Sequence, residues 1–125
     1  MKHLVIFALL AAASARPEEA FYSSKYDSYD VTELVSNTRL LKAFTHCLLG
    51  DAKCTPDGTT IKKWLPEAVQ TDCTKCTEKQ RSLAATVAKA IIDQLPQQWE
   101  MLAKTYDSEG KHTDSFNKFI EKYAL

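Results

Sequence analysis

Residues 47–76 read CLLGDAKCTPDGTTIKKWLPEAVQTDCTKC and hold all four cysteines of the 125-residue chain, at the spacing C-x6-C-x18-C-x2-C. Between the two cysteine pairs, Ile61, Leu65, Ala68 and Val69 recur at helical spacing, with Lys62, Lys63 and Glu67 on the opposite side. Thr55-Pro56-Asp57-Gly58 in front of them is turn chemistry. Pro66, inside the pattern, lacks a backbone donor, so the helix is expected to kink or to split in two. Trp64 lies close to the apolar stripe and is expected half-buried. The sulfurs admit three readings: local staples on a helical bundle, four ligands of one metal, or a redox couple.

Helical patterns continue on both sides. Upstream, Asp30 and Glu33 form a capping pair that opens a short helix with Val31, Leu34 and Val35 inward. Asn37 then caps a second helix, in which Leu40, Leu41, Phe44, Cys47 and Leu48 mark one face and Gly50-Asp51 the end. Downstream, Thr77-x-x-Gln80 is a capping box that starts the longest helix. Leu83, Val87, Ile91 and Leu95 follow at i+4 steps, and Ala84, Ala88 and Ile92 widen the stripe and allow a neighbour to come close. Pro96 ends that helix and fits the first position of the next, whose face carries Trp99, Leu102, Ala103 and Tyr106. After the loop Asp107-Ser108-Glu109-Gly110, Phe116, Phe119, Ile120 and Tyr123 make a last short helix. No strand alternation and no repeat occurs, so the expectation is all-α with six helices.

The first residues decide the compartment. Met1-Lys2-His3 is a basic head, Leu4 to Ala13 is an apolar run too short to span a bilayer, and Ala13-Ser14-Ala15 is a small-x-small cleavage site. Residues 1–15 therefore read as a secretory signal peptide and 16–125 as one domain. Residues 16–29, with Tyr22, Tyr26 and Tyr29, read as an extended arm draped on the bundle. The full chain has 16 basic and 16 acidic side chains; losing Lys2 with the leader leaves 15 against 16, a net charge of −1. That balance argues against nucleic acid, whose phosphates need a basic face. With no second hydrophobic span, the product is expected to be extracellular, with no membrane span.

In an oxidising compartment an even cysteine count reads first as disulfides. Four cysteines allow three connectivities, among which spacing does not choose. Cys73 and Cys76 are close enough to meet, and Cys47 and Cys54 flank a Gly-Asp turn, so two small loops are feasible. Each such loop removes about 2–2.5 kcal/mol of unfolded-state entropy. C-x2-C is also a zinc-knuckle spacing, and Cys73-Thr74-Lys75-Cys76 has the form of a redox motif. The oxidising compartment argues against the metal, and the missing strand–helix setting against redox catalysis.

At these residues the chain resembles the insect chemosensory proteins, the small four-cysteine OS-D family. The likeness runs from Tyr22-x-x-Lys25-Tyr26-Asp27 through Asn37-x-Arg39-Leu40-Leu41 and Phe44-x-x-Cys47-Leu48-Leu49. It continues through Cys54-Thr55-Pro56-Asp57-Gly58, Leu65-Pro66-Glu67-Ala68 and Cys73-x-Lys75-Cys76-Thr77-x-x-Gln80, to Trp99-x-x-Leu102 and Lys104-x-Tyr106-Asp107. Ala52, Ser108 and His112 depart from the family's usual glycine, proline and aromatic. The resemblance implies a six-helix bundle around an apolar channel, with disulfides Cys47–Cys54 and Cys73–Cys76. It also implies a secreted carrier of long-chain lipids or semiochemicals, with Phe44 and Trp99 at the ligand channel and its mouth.

No Ser/His/Asp set and no Gly-rich phosphate loop is present, so no enzyme, catalytic residue, metal or cofactor is expected. His46 and His112 read as solvated surface residues, and Lys62-Lys63 as a wet helix face. By periodicity alone Leu34, Phe44, Leu48, Leu65, Val87, Ile91, Trp99 and Leu102 are ordinary core; only the resemblance makes them a candidate ligand wall. The expected partner is one small apolar molecule of fatty-acid, fatty-alcohol or ester type, bound by a monomer. The competing expectation is a secreted helical interaction protein, developmental or defensive, with a solid core and no small ligand.

Overall fold

The computed structural model describes residues 21–125. The leader expected over 1–15 and the first part of the arm, 16–20, lie outside the described residues. Among the described residues the chain forms six α-helices: α1 (Thr32–Ser36), α2 (Thr38–Leu49), α3 (Pro56–Thr71), α4 (Glu78–Gln94), α5 (Pro96–Tyr106) and α6 (Thr113–Tyr123). A 3-10 turn, Ser24–Tyr26, precedes them. The all-α, six-helix expectation is met.

The helix ends explain why the elements fall there. The Asn37 side chain accepts the N–H groups of Arg39 and Leu40 at 3.1 and 3.2 Å, two of the donors that α2 leaves orphaned. Gly50, with φ 89°, closes α2 in the left-handed conformation that glycine adopts freely. The capping box of α4 is complete: Thr77 Oγ1 accepts the Gln80 N–H at 3.2 Å, and Gln80 Oε1 accepts the Thr77 N–H at 3.1 Å. Pro96 opens α5 at its first turn.

Three local expectations change. Thr55-Pro56-Asp57-Gly58 is not a free turn but the start of α3: Thr55 Oγ1 accepts the Gly58 N–H at 3.1 Å, and Pro56 supplies a first residue whose missing donor costs nothing there. Pro66 does not split α3, which runs unbroken to Thr71. The loss is confined to one ladder bond, and the capped start and the packing of Trp64 and Leu65 on either side hold the helix together. Asp30 does not pair with Glu33 in a box; its Oδ1 accepts the Thr32 N–H at 2.9 Å, one residue short of the position a box requires.

α4 is the hub and packs on α1, α2, α5 and α6, with its closest association to α6; α2 also packs on α3 and α5. The alanines account for the α4–α6 approach. Ala85 is fully buried and Ala88 nearly so, and both belong to a cluster with Cys73, Cys76, Phe119 and Ile120. A second cluster gathers Leu41, Cys47, Leu48, Ala90, Ile91, Leu95 and Leu102. Trp99 packs against both clusters. Ala85 and Ala90 lie beside the Leu83–Val87–Ile91 row and were not marked by its period. The helix is covered on more than one side, and period identifies only one face.

The four cysteines form two disulfides, Cys47–Cys54 with Cα atoms 4.9 Å apart and Cys73–Cys76 with Cα atoms 5.2 Å apart. With both pairs bridged, no cysteine is free among the described residues. Gly58 sits against the first bridge: a Cβ there would meet Cys47 Sγ at 3.0 Å, so the helix touches the sulfur only because the side chain is absent. Beyond α3, Asp72 (φ 54°) and Cys73 (φ 61°) turn the chain back, and the Cys73 N–H reaches the Ala68 carbonyl at 2.8 Å.

Candidate functional site

Residues of both clusters bound a cavity of about 300 Å³ between the helices that is partly open to solvent. All six helices and the arm contribute to it. Leu34 comes from α1; Phe44 and Leu48 from α2; Ile61, Trp64, Leu65 and Ala68 from α3; Leu83, Val87, Ala88 and Ile91 from α4; Trp99, Leu102 and Tyr106 from α5; Phe116 and Phe119 from α6. The eight residues singled out from sequence, Leu34, Phe44, Leu48, Leu65, Val87, Ile91, Trp99 and Leu102, all lie on this wall. Leu48, Ile91 and Leu102 are buried and serve both as packed core and as wall. Leu34, Phe44, Leu65, Val87 and Trp99 stay partly exposed, as wall residues of a void must, although their period points them inward.

The aromatic part of the wall is arranged in two groups. Trp99 stacks on Phe116 (centroids 5.5 Å, planes 10° apart), and Phe116 stacks in turn on Phe119 (5.9 Å, 7°). On the other side Tyr22 stacks on Trp64 at 4.5 Å, and Tyr26 meets the same indole edge-on at 5.3 Å. Trp64 is half-buried as expected, but as the anchor of the arm.

The polar atoms of the wall are largely spoken for. Tyr22 Oη donates to Glu67 Oε1 at 2.9 Å, Tyr26 Oη to Asp57 Oδ1 at 3.0 Å, and Tyr106 Oη to the Leu48 carbonyl at 2.6 Å. Burial, and then the Glu67 carboxylate, push the Tyr22 phenol up to about 12; burial alone raises Tyr106. Glu67 is held below the usual carboxylate range by Lys75, 3.1 Å away, and then by the Tyr22 hydroxyl. Gln80, buried on the wall, spends its carbonyl oxygen on the α4 cap and its amide on the Ser23 carbonyl at 2.8 Å. What faces the void is therefore mostly ring and aliphatic surface, with Asp72, Asp107, His112, Thr113 and Asn117 gathered toward the α6 end.

Several wall residues were not identified as such from sequence. The described part of the arm is docked, not merely draped: the Tyr22 N–H reaches the Lys75 carbonyl at 2.9 Å, and Thr77 Oγ1 donates to Asp27 at 2.8 Å. Tyr22, Tyr26 and Tyr29 thereby become wall. Their place in the Tyr22-x-x-Lys25-Tyr26-Asp27 motif was the available signal. Gln80 was visible only as a cap. His112 is corrected: it is a half-buried wall residue beside the start of α6, not a solvated surface group. His46 is half-buried too, with Nδ1 2.9 Å from Asp51 Oδ1. Leu40, expected inward, is exposed. It borders a second groove of about 310 Å³ that shares Tyr29, Leu34 and Phe44 with the cavity. Phe44 thus stands between an inner void and an outer groove. Among the described residues no cluster of His, Cys, Asp and Glu suited to a metal occurs.

Comparison with known proteins agrees with this geometry. Residues 22–114 match the insect pheromone-binding family, A10/OS-D. The chain is 44% identical over 120 residues to allergen Tha p 1 of Thaumetopoea pityocampa, covering 94% of each chain. Among solved structures it is similar to a chemosensory protein in complex with bromo-dodecanol, with a TM-score of 0.71 and 33% identity, covering 78% of this chain and 97% of that one. It is also similar to antennal chemosensory protein A6 from the moth Mamestra brassicae, with a TM-score of 0.65 and 32% identity, covering 80% of this chain and 93% of the other. A bundle of six helices, two local disulfides and a sequence match from the arm to the start of α6 make this chain a member of the insect pheromone-binding A10/OS-D family.

Proposed function

We propose that this chain is a secreted, monomeric carrier that holds one small hydrophobic molecule non-covalently in this cavity, without catalysing a reaction. The observation that carries the reading is the cavity itself: about 300 Å³, at the small end of ligand sites, walled mostly by aliphatic and aromatic side chains, with the hydroxyls of Tyr22, Tyr26 and Tyr106 engaged elsewhere. An alkyl chain entering it gains about 0.8 kcal/mol per CH₂ buried. The complex of a similar chemosensory protein with bromo-dodecanol supports the same ligand class here. Phe44, Leu34, Leu48, Leu65, Val87, Ile91, Trp99 and Leu102 are the proposed ligand contacts, with Phe44 at the passage to the outer groove. Secretion is supported by the leader pattern of residues 1–15 and by two disulfides; among the described residues no helix is long and apolar enough to cross a membrane.

The test is displacement of a fluorescent hydrophobic probe by a series of straight-chain ligands. Affinity is expected to rise about fourfold per added methylene until the cavity is full, then to level off. A solid-core interaction protein would take up neither probe nor ligand. Intact mass of the secreted product tests the rest: a mature chain starting near Arg16, four hydrogens lighter than its reduced form.

A further inference from the structure

One stretch of wall is held differently from the rest. The arm, residues 22–29, puts the rings of Tyr22, Tyr26 and Tyr29 on the cavity, yet it carries no disulfide and no regular element beyond its 3-10 turn. Tyr26 and Tyr29 lie outside both apolar clusters, and Tyr22 only borders the second. What fastens the arm is a row of hydrogen bonds. Tyr22 Oη donates to Glu67 Oε1 and Tyr26 Oη to Asp57 Oδ1, so the two phenols grip α3 toward its two ends. Thr77 Oγ1 and the Gln80 amide hold Asp27 and the Ser23 carbonyl to the start of α4. Water replaces each such bond when it opens, so the net hold of each is small. The surface beneath is fixed by contrast. Cys47–Cys54 staples the chain entering α3, and Cys73–Cys76 the chain leaving it. α1, which follows the arm, is tied to α4 by the Gln94 amide, a donor to the Val35 carbonyl at 2.7 Å.

We propose that the arm is the door of the cavity: it lifts from α3 and α4 as one piece, turning about the residues between Tyr29 and α1, and ligand enters and leaves beneath it. This deepens the carrier reading and rests on it. Lifting takes three rings off the wall at once and uncovers Trp64, which Tyr22 and Tyr26 otherwise cover. Tyr29 also borders the outer groove, so the same movement widens the way to Phe44. A door has a kinetic signature that a passive wall lacks. Loosening its clasps raises the open fraction of empty and loaded protein alike, so association and dissociation quicken together and affinity stays the same.

The test is stopped-flow fluorescence on the intact mature protein, with N-phenylnaphthylamine as the probe for association and a dodecanol chase for dissociation. Asp57→Ala combined with Glu67→Ala removes the two phenol acceptors without altering any residue of the wall. This variant is expected to raise both rate constants by the same factor, about tenfold or more, with the dissociation constant unchanged within about twofold. Tyr22→Phe combined with Tyr26→Phe keeps the rings and removes the same two bonds, and is expected to reproduce the effect. It carries the test alone if the helix-side variant melts below the assay temperature. Val87→Ala, on the wall away from the arm, is the contrast: dissociation is expected to quicken while association holds. Clasp variants that leave both rates unchanged, or quicken dissociation alone, overturn the inference, since the arm is then wall and nothing more. Phe44→Ala raising both rates where the clasp variants raise neither overturns it too, and moves the entrance to Phe44. Wild-type protein that takes up no probe is a different failure: it removes the carrier reading, and this inference with it.

Discussion

Val87→Phe separates a hollow bundle from a packed one by the sign of its effect. Val87 is half-buried on α4, packed against the Leu41–Leu102 cluster on one side and facing the cavity on the other. Phenylalanine adds about four carbons, whose burial in a void of about 300 Å³ is worth roughly 3 kcal/mol at 0.8 kcal/mol per methylene. Imperfect fit returns about 1–3 kcal/mol of that, so the ligand-free variant is expected to be neutral to about 2 kcal/mol more stable. For a domain of this size each kcal/mol moves the midpoint by roughly 4–8 °C. The same ring occupies the space of about four ligand methylenes, so a long-chain alcohol is expected to bind about two-hundredfold more weakly. Thermal melts of the ligand-free protein and probe displacement read the two effects separately. In a filled core the same change is overpacking and lowers the midpoint. A destabilised variant with unchanged ligand affinity would refute the reasoning.

Trp99→Phe is expected to abolish most ligand-induced quenching of tryptophan fluorescence, and Trp64→Phe to leave it largely in place, because both indoles line the cavity but Trp64 is covered by two tyrosine rings and Trp99 is stacked on Phe116 alone. Gln80→Leu removes the cap acceptor for Thr77 and the donor to Ser23; the loss is expected to be about 2–3 kcal/mol in urea unfolding, with faster hydrogen exchange over residues 22–29. The arm should also respond to pH in two directions. Tyr22, raised to about 12, contributes in full below its ordinary value near 10 and loses that contribution as pH climbs through 12; Tyr22→Phe removes this alkaline step in Trp64 fluorescence. Glu67, held low by Lys75 and then Tyr22, contributes above its ordinary range and loses that contribution as pH falls through its lowered value, so the arm also loosens in acid.

The helical frame was legible because it is written locally. Asn37, Thr77 with Gln80, and Pro96 each state a helix start in a few residues, and the rows through Leu41–Leu48 and Val87–Leu95 state which side turns inward. Thr55-Pro56-Asp57-Gly58 misled because the same four residues serve a turn or a capped helix start, and only the chain that follows decides between them. The wall was harder to see for a physical reason. Period separates inward from outward, but a side chain facing a void and one facing another side chain carry the same signal, so Val87 and Ile91 look alike in sequence. Asp72 and Asp107, thirty-five residues apart, meet the start of α6 only in the folded chain, through Ser115 and through the His112 N–H, and no local pattern states that.

Bromine gives the most direct measurement. A crystal of the mature protein grown with a bromine-tipped dodecanol is expected to show an anomalous bromine peak inside the bundle, within contact of wall residues such as Phe44, Val87 and Trp99, at one site per chain. Absence of any peak in the interior at saturating ligand, with Leu48, Ile91 and Leu102 closed upon one another, would contradict the account.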